Sequence, residues 1–549
     1  MKKNILSLAV AASAAGAASL ASAQMYVNPE GTGEALLFPF YSAQNGNDTL
    51  ISIANTTSQT KAVKVRIIEG QESQEVLDFN LYMSPQDHYS FAITATEDGG
   101  AALRTADTSC TVPAITGDVP FTDISLLSVA VGDTPAQEEG DAISRTQVGY
   151  IEVIEMGQVI RTDLTEAIIH VDGEPTGCEQ IVAAWSVIDD EEGAWYTDAN
   201  AGQVGVDGGN PSVGTTGMGL DWDGGGLYGV ATVINVAEGT AFGYDAVAIE
   251  NLVDDDNPLN TGAILHYAPG DTRPDFSDVA ISDTSAVAIG GTQTTYTNPT
   301  AGDIDYIAHH TVSSVFMTDS ITNDYVVDPA INGLTDWVVT MPTKSHYESV
   351  VAGWLAPFSF GYTGGESGTA FEYPNDCQPF TFTAYDREEG TLEPPPIPDA
   401  DPSNDAPQFS PYIRPEVEET ETPDGVDPVI CNEVSIVHFG ATSATNSSES
   451  DEDPEVDRMM TNVSGLLSDD DQEFVAGWAV MDLSGNNLNN PVDTNRWLPG
   501  TVASGEPLRG LPVTGFAVVE YTNGTMGGVQ SNYQSSWEHK TSVVTSSAD

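Results

Sequence analysis

Short runs of alternating apolar and polar residues open this chain, and a period of two commits them to half-buried β-strands. In Lys61–Glu69 the side chains of Val63, Val65 and Ile67 share one face, and Lys64 and Arg66 share the other. In Val76–Met83 the apolar face carries Leu77, Phe79, Leu81 and Met83, opposite Asp78, Asn80 and Tyr82. Turn-forming clusters such as Gln44-Asn45-Gly46-Asn47-Asp48 separate these runs from their neighbours. Two opposed faces per strand imply antiparallel sheets, with one side packed and the other in water.

The pattern recurs in Gly149–Met156, Ile181–Ile188, Gly229–Val236, Asp336–Met341, Val434–Phe439, Phe474–Leu483 and Gly515–Tyr521. Helical periodicity is scarce, Arg161–His170 being the one short candidate. The expected fold is all-β, two or more antiparallel sandwich domains joined by long acidic loops. Residues 24–266 read as an N-terminal sandwich region, 267–304 as a Gly/Asp/Ser/Thr-rich linker, and 305–549 as a C-terminal sandwich region. Within the last, 386–427 holds Pro394-Pro395-Pro396 and many acids, and reads as an extended surface insertion. Two segments, Ala183–Asp189 and Ala476–Asp482, share the pattern A-x-W-x-V-x-D, as expected of core strands with a buried Trp.

Residues 1–23 have the form of a secretory signal peptide: Lys2 and Lys3, an apolar Ala-rich middle, then Ala21-Ser22-Ala23. No later run has the roughly 18 apolar residues of a membrane-spanning helix, so export without a transmembrane segment is expected. Four cysteines in an exported chain imply two disulfides, and of three pairings nearest-neighbour order favours Cys110–Cys178 and Cys377–Cys431. Each closes a loop worth roughly 4 kcal/mol in the chain-entropy model.

The formal net charge is -66, from 16 basic and 82 acidic residues. Such a chain repels nucleic acid, whose recognition needs a basic footprint. It also fits a saline exterior, where ions screen the self-repulsion. Lys61, Lys64 and Arg66 cluster on one strand, and with Lys64 and Arg66 facing outward that strand is the expected point of self-association. An acidic loop of another copy, or the 386–427 insertion, would dock there.

Catalytic signatures are missing. There is no G-x-S-x-G elbow, no H-E-x-x-H and no Gly-rich phosphate loop with a Lys. His309-His310, taken as a strand pair, would point to opposite faces and share no metal. His346 sits in a polar cluster with Lys344, Tyr347 and Glu348. No cofactor is required. Calcium is the ligand best suited to the loops, because closely spaced oxygens are what it prefers. The candidate ligands are Asp221 and Asp223, then Asp254, Asp255 and Asp256, then Asp469, Asp470 and Asp471. The first pair begins like an EF-hand loop, but Gly225 and Thr232 stand where later ligands belong. For a glycan platform, Trp195, Trp222 and Trp497 are placed in loops, whereas Trp185, Trp337 and Trp478 are placed in cores.

Asp48–Ile93, with its NDTLISIANTT, KAVKVRIIEG and LDFNLYMSPQD segments, resembles the immunoglobulin-like sandwich modules of bacterial surface proteins. The wider chain resembles a family of exported proteins of marine Gram-negative bacteria, itself uncharacterised. The segments that carry the likeness include GEALLFPFYSAQNGNDT, GYIEVIEMG, TDWVVTMPTKSHY, CQPFTFTAYDREE and GLPVTGFAVVEYTNGT. The resemblance implies immunoglobulin-like architecture, export and a single unit spanning the chain, and it supplies no site residues. On these grounds the expected function is that of a non-enzymatic structural or adhesive protein of the cell exterior. Its partners would be an extracellular polymer, a cell-surface molecule or another copy. The alternative is a secreted glycan-binding or polysaccharide-active protein that uses calcium.

Overall fold

The alternating residues sort as the pattern demands: Val63, Val65 and Ile67 join one buried cluster, and Ala62 and Ile68 join another on the opposite side. The structure is a computed structural model that describes residues 24–122, 141–188, 191–196, 219–221, 224–253, 265–276, 285–288, 292–295, 305–347, 356–358, 377–387, 428–440, 442–448, 459–469, 472–485, 496–498, 501–502, 508–526 and 529–542. It is mostly strand, arranged in several sheets that are largely antiparallel.

Four larger sheets lie in layers. The central sheet is built around Ala35–Ser42, Val148–Val159, Lys61–Glu69 and Glu75–Met83, adjacent in that order. Its register holds Glu152 opposite both Leu37 and Arg66. The bulge opposite Tyr150 takes in Pro39, a residue that a regular ladder position would reject. A front sheet, with Leu227–Asn235, Asn47–Asn55 and His88–Ala95 at its middle, covers one face of the central sheet. Leu36, Phe38, Ile51, Ile53, Phe79 and Phe91 are buried between the two.

The other face of the central sheet meets a bridging sheet formed by Val434–His438, Gly333–Thr340, Thr514–Met526 and neighbours. Phe40 meets Phe516 edge to face at 6.3 Å, and the Thr340 hydroxyl donates to the Pro39 carbonyl at 2.6 Å. Behind it lies a back sheet of Thr381–Asp386, Ala476–Asp482, Ser320–Val326 and Lys540–Ser542. Trp337, Val339, Tyr325, Met481 and Phe439 fill the space between bridging and back sheets. The front and bridging sheets also meet directly along their edges, where Ser536 of Val529–Glu538 donates to the Gly243 carbonyl of Thr240–Asp245.

Three expectations change. The stretch 267–304, expected as a linker, supplies Ser285–Ala288 and Thr292–Thr295 to the central sheet, where they pair with Met25–Tyr26 and with Thr501–Val502. The central sheet thus draws strands from both ends of the chain. Ile181–Ile188, expected as a strand, contains the C-terminal part of a helix, Cys178–Ala184, so the A-x-W-x-V-x-D likeness to Ala476–Asp482 does not extend to structure. His309 and His310 sit on the helix Asp305–Phe316 rather than a strand. The Arg161–His170 helix forms as Thr162–Ile168. Among the described residues no helix is long and apolar enough to cross a membrane.

Cys110 is bonded to Cys178, and Cys377 to Cys431. The first bond fastens the Cys178–Ala184 helix to an edge strand of the central sheet, Cys110–Val112. Replacing both cysteines, Cys110→Ser with Cys178→Ser, should lower the unfolding free energy by roughly 4 kcal/mol. Urea titration under oxidising conditions measures this, and an unchanged midpoint would contradict it.

Candidate functional site

Lys64 and Arg66 do not face water. The bridging sheet and the segment 265–276 roof their side of the central sheet, and both residues are buried. The expected docking strand is therefore corrected: alternation identified the face but could not reveal the second layer over it. An unpaired charge placed there would be prohibitive, so each cation meets acids across the strands. Lys61 binds Glu155 at 2.7 Å, Lys64 binds Asp78, and Arg66 binds both Glu75 and Glu152. Arg145 reaches Glu69 at 3.0 Å and Glu72 at 3.1 Å. The roof takes part, because Gly270 donates its amide to Asp78 at 3.0 Å and Asn80 donates to the Tyr267 carbonyl at 2.9 Å. Burial lowers the Lys64 pKa against the pull of Asp78, and burial pushes Glu152 up to about 7 against the pull of Arg66.

On the opposite face of the strand Glu34, Glu155 and Glu250 crowd Gly224-Gly225, and Lys61 pairs with Glu155 and draws on Glu250. The Gly225 amide donates to Glu155 at 2.9 Å. A Cβ on Gly224 would come within 2.7 Å of a Glu34 oxygen, and one on Gly225 within 2.8 Å of a Glu250 oxygen. Gly225 also has a φ of 92°, where any side chain would be strained. Glu34 accepts from the Val253 amide at 3.1 Å, and burial, with Glu155 and Glu250 adding repulsion, pushes its carboxyl up to about 8.

The calcium candidates are placed as follows. Asp221 is exposed on a two-residue strand paired with Val148–Val159. Asp469 pairs its backbone with Gln472 in a small hairpin. Asp223, Asp254, Asp255, Asp256, Asp470 and Asp471 lie outside the described residues. Among the described residues no group of three or more His, Cys, Asp or Glu side chains is arranged to hold a metal ion.

The tryptophans are redistributed. Trp195, placed in a loop by its sequence, is fully buried and stacks on Tyr82 at 5.3 Å. Trp185 donates to the Tyr82 hydroxyl at 2.7 Å, and that hydroxyl lies 3.0 Å from His266 Nε2. Since Tyr82 accepts from Trp185, its own proton goes to His266; burial, reinforced by Lys64, lowers that imidazole to about 3 and keeps it neutral. Trp222 is outside the described residues, and Trp497 is half-buried under the Arg509 guanidinium. Trp337 is core, as expected. Trp478 is not: it is 42% exposed on the outer face of the back sheet, stacked on Tyr385 at 4.2 Å with the rings 12° apart.

Two polar constellations resemble catalytic groupings and are sealed instead. His309 and His310 pack on each other at 4.6 Å and on Tyr347, whose hydroxyl donates to Ser313 at 2.7 Å. His438 Nδ1 lies 2.8 Å from Asp336, the geometry by which a carboxylate orients a general base. Yet the hydroxyls of Ser443 and Thr445 bond to Asp336 and not to the imidazole. The arrangement holds the loop 442–448, and Asn47 donates to the Thr445 carbonyl of that loop at 2.8 Å. Asp336 therefore ties the bridging sheet to the front sheet.

Among the described residues, large apolar side chains stand exposed on one face of the back sheet and one face of the front sheet. On the back sheet Tyr385, Trp478 and Asp324 form one cross-strand row, and Thr383, Val480, Thr322 and Lys540 form the next. On the front sheet Leu50, Val230 and Tyr228 are exposed among the small residues Ser52, Ser90 and Ala92. Neither surface was legible, because alternation alone does not say which of several sheets is outermost. Comparisons with protein-family models, with curated proteins and with solved structures find no significant match.

The Glu34 cluster generates a signed pH effect. A carboxyl with a pKa near 4.5 unfolded and about 8 folded stabilises fully below the lower value, and the contribution is lost as pH rises through the upper one. Glu34→Gln removes the titration while leaving Lys61, Glu155, Glu250 and Tyr26 around the site. Its stability relative to wild type should improve by roughly 2–4 kcal/mol between about pH 5 and about pH 9. Thermal melts across that range would refute the assignment if the two proteins kept a constant gap.

Proposed function

We propose that this chain is an exported, non-enzymatic protein of the cell exterior with a structural or adhesive role. The observation that carries the reading is the disposition of polar chemistry. The described ion pairs on the central sheet and the Asp336–His438 pair are spent on joining strands and layers, while two flat sheet faces are left open. Two disulfides within an all-β stack suit an oxidising compartment, and a net charge of -66 suits a saline medium. The reading includes a cleaved signal peptide, immunoglobulin-like wiring of the sheets and kinship with exported proteins of marine Gram-negative bacteria. Face-to-face sheet packing and the sequence segments quoted above support these parts.

A second reading, a glycan-binding or polysaccharide-active protein aided by calcium, is favoured by the exposure of Trp478. The stacking of Trp478 on Tyr385 weighs against it, since each ring covers a face of the other that a sugar would use. Labelling intact host cells with a membrane-impermeant amine reagent, followed by fractionation, tests the first reading. Lys540 is exposed and available to the reagent. Labelled protein in the surface or matrix fraction is expected, and recovery of unlabelled protein from the cytoplasm would overturn the proposal. Release of sugar products from a polysaccharide panel would transfer support to the second reading.

A further inference from the structure

Among the described ion pairs, Lys61 and Glu155 are the ones whose side chains are both 0% exposed. Lys61 Nζ lies 2.7 Å from Glu155 Oε1, and the Gly225 amide donates to the other oxygen, Oε2, at 2.9 Å. A second acid, Glu34, adjoins the pair. The Glu155 amide donates to the Glu34 carbonyl at 2.9 Å, one step beyond the Ile154–Ala35 pair, so the two glutamates are cross-strand neighbours. Their carboxyl groups converge as well, since Glu34 closes on Gly224 and Glu155 on Gly225, consecutive residues. Burial, with repulsion from Glu155 and Glu250, pushes Glu34 up to about 8, so it holds its proton at neutral pH. An amine held against a carboxyl group, with a neutral acid beside them and water shut out, is the arrangement that amide condensation requires.

We infer that Lys61 and Glu155 condense into an intramolecular amide, Nζ to Cδ, with Glu34 relaying a proton to the departing oxygen. The ammonium first passes a proton to Oε1, which leaves a neutral amine facing a neutral acid. The amine lone pair attacks Cδ and the N–C bond forms. The carbonyl electron pair moves onto Oε2, where the Gly225 amide supports the developing charge. Nitrogen then gives up one more proton while Glu34 donates its own to Oε1, the C–O bond breaks, and Oε1 departs as water. Glu34 ends as it began, and no oxidant, reductant or other reactant is consumed. The product is favoured in this place, because two buried charges are costly to hold out of water and a buried amide carries none. The Lys64–Asp78 pair lacks these conditions: Asp78 is 11% exposed, and the acids beside it, Glu75 and Glu152, are held by Arg66. The amide joins Lys61–Glu69 to Val148–Val159, neighbours in the central sheet, and unlike Cys110–Cys178 it survives reduction. It needs no partner and no particular compartment, so it stands or falls separately from the exterior role.

Residues 24–549 are collected in urea after synthesis, refolded under oxidising conditions, and sampled at intervals by acid quenching and intact mass spectrometry. Tryptic mapping follows, and a cooperative melting transition certifies that each protein has folded. Folded wild type should become one water lighter than its sequence with two disulfides requires. The map should show a branched peptide joining the Lys61 and Glu155 segments, with no cleavage after Lys61. Lys61→Arg keeps the charge but offers no amine to acylate, and it should retain the water. Glu34→Gln keeps both reacting groups and removes the donor, so its amide should form roughly 100-fold more slowly. Folded wild type that stays at full mass overturns the inference, as does a water loss that maps to Lys64–Asp78 or to any other pair. Glu34→Gln that closes as fast as wild type overturns it too. Where a variant does not fold, the mass of wild type decides alone.

Discussion

The rest of the structure depends on buried pairing of cations with carboxylates of adjacent strands: Lys64 and Arg66 on the face that another layer covers, and Lys61 with Glu155 on the opposite face of the same strand. A protein with so few cations would be expected to hold them at the surface, where they relieve repulsion among neighbouring acids. Here they are taken inside. Their partners, Asp78, Glu75, Glu152 and Glu155, come from the two strands that flank Lys61–Glu69, so each ion pair also fixes strand register. A slip of one residue would carry Lys64 and Arg66 into the Val63–Ile67 core and leave four carboxylates unpaired. Buried pairs add little net stability compared with apolar replacements, but breaking one is costly. Their contribution is specificity: they make one register and one stacking of layers far better than the others.

That arrangement explains which parts of the fold were legible. Alternation in Lys61–Glu69, Val434–Phe439 and Gly515–Tyr521 located strands, and apolar faces such as Val63, Val65 and Ile67 were assigned to a core correctly. The polar face of the same strand was assigned to solvent because a period of two describes a single sheet with one wet side. Nothing in Lys64 or Arg66 announces a roof contributed by residues some two hundred positions later. The same limit misplaced the tryptophans. Trp478 lies in an alternating run that looks like core, yet its parity puts it on the outside of the last layer. Trp195 lies in a turn-rich stretch, yet Tyr82, Trp185 and His266 enclose it. The stretch read as a linker hides its strands for another reason: Ser285–Ala288 and Thr292–Thr295 find their partners at distant points of the chain. Gly225 has a φ of 92°, a backbone conformation that strains any side chain, and Glu34 closes on Gly224, an environment that exists only after folding.

Several buried polar groups among the described residues fasten elements to one another. Asp336 satisfies an imidazole, two hydroxyls and a backbone amide, and so anchors the loop that contacts Asn47 of the front sheet. His309 and His310, carried on the helix Asp305–Phe316, pack on Tyr347, and the Tyr82–His266 pair is held neutral.

The central claim, that the stack is specified by an ion-pair ladder sealed between layers, is tested most directly by comparing two arginines. Arg66 is buried against Glu75 and Glu152, whereas Arg104 is half-exposed beside Asp118 at 3.3 Å. Unfolding free energies of Arg66→Met and Arg104→Met, measured in about 0.1 M and about 1 M NaCl, separate the two environments. Arg66→Met should lose roughly 3–5 kcal/mol at both salt concentrations, because solvent ions do not reach the orphaned carboxylates. Arg104→Met should lose less than about 1 kcal/mol. Equal losses for the two variants, or a loss at Arg66 that disappears in high salt, would contradict the account.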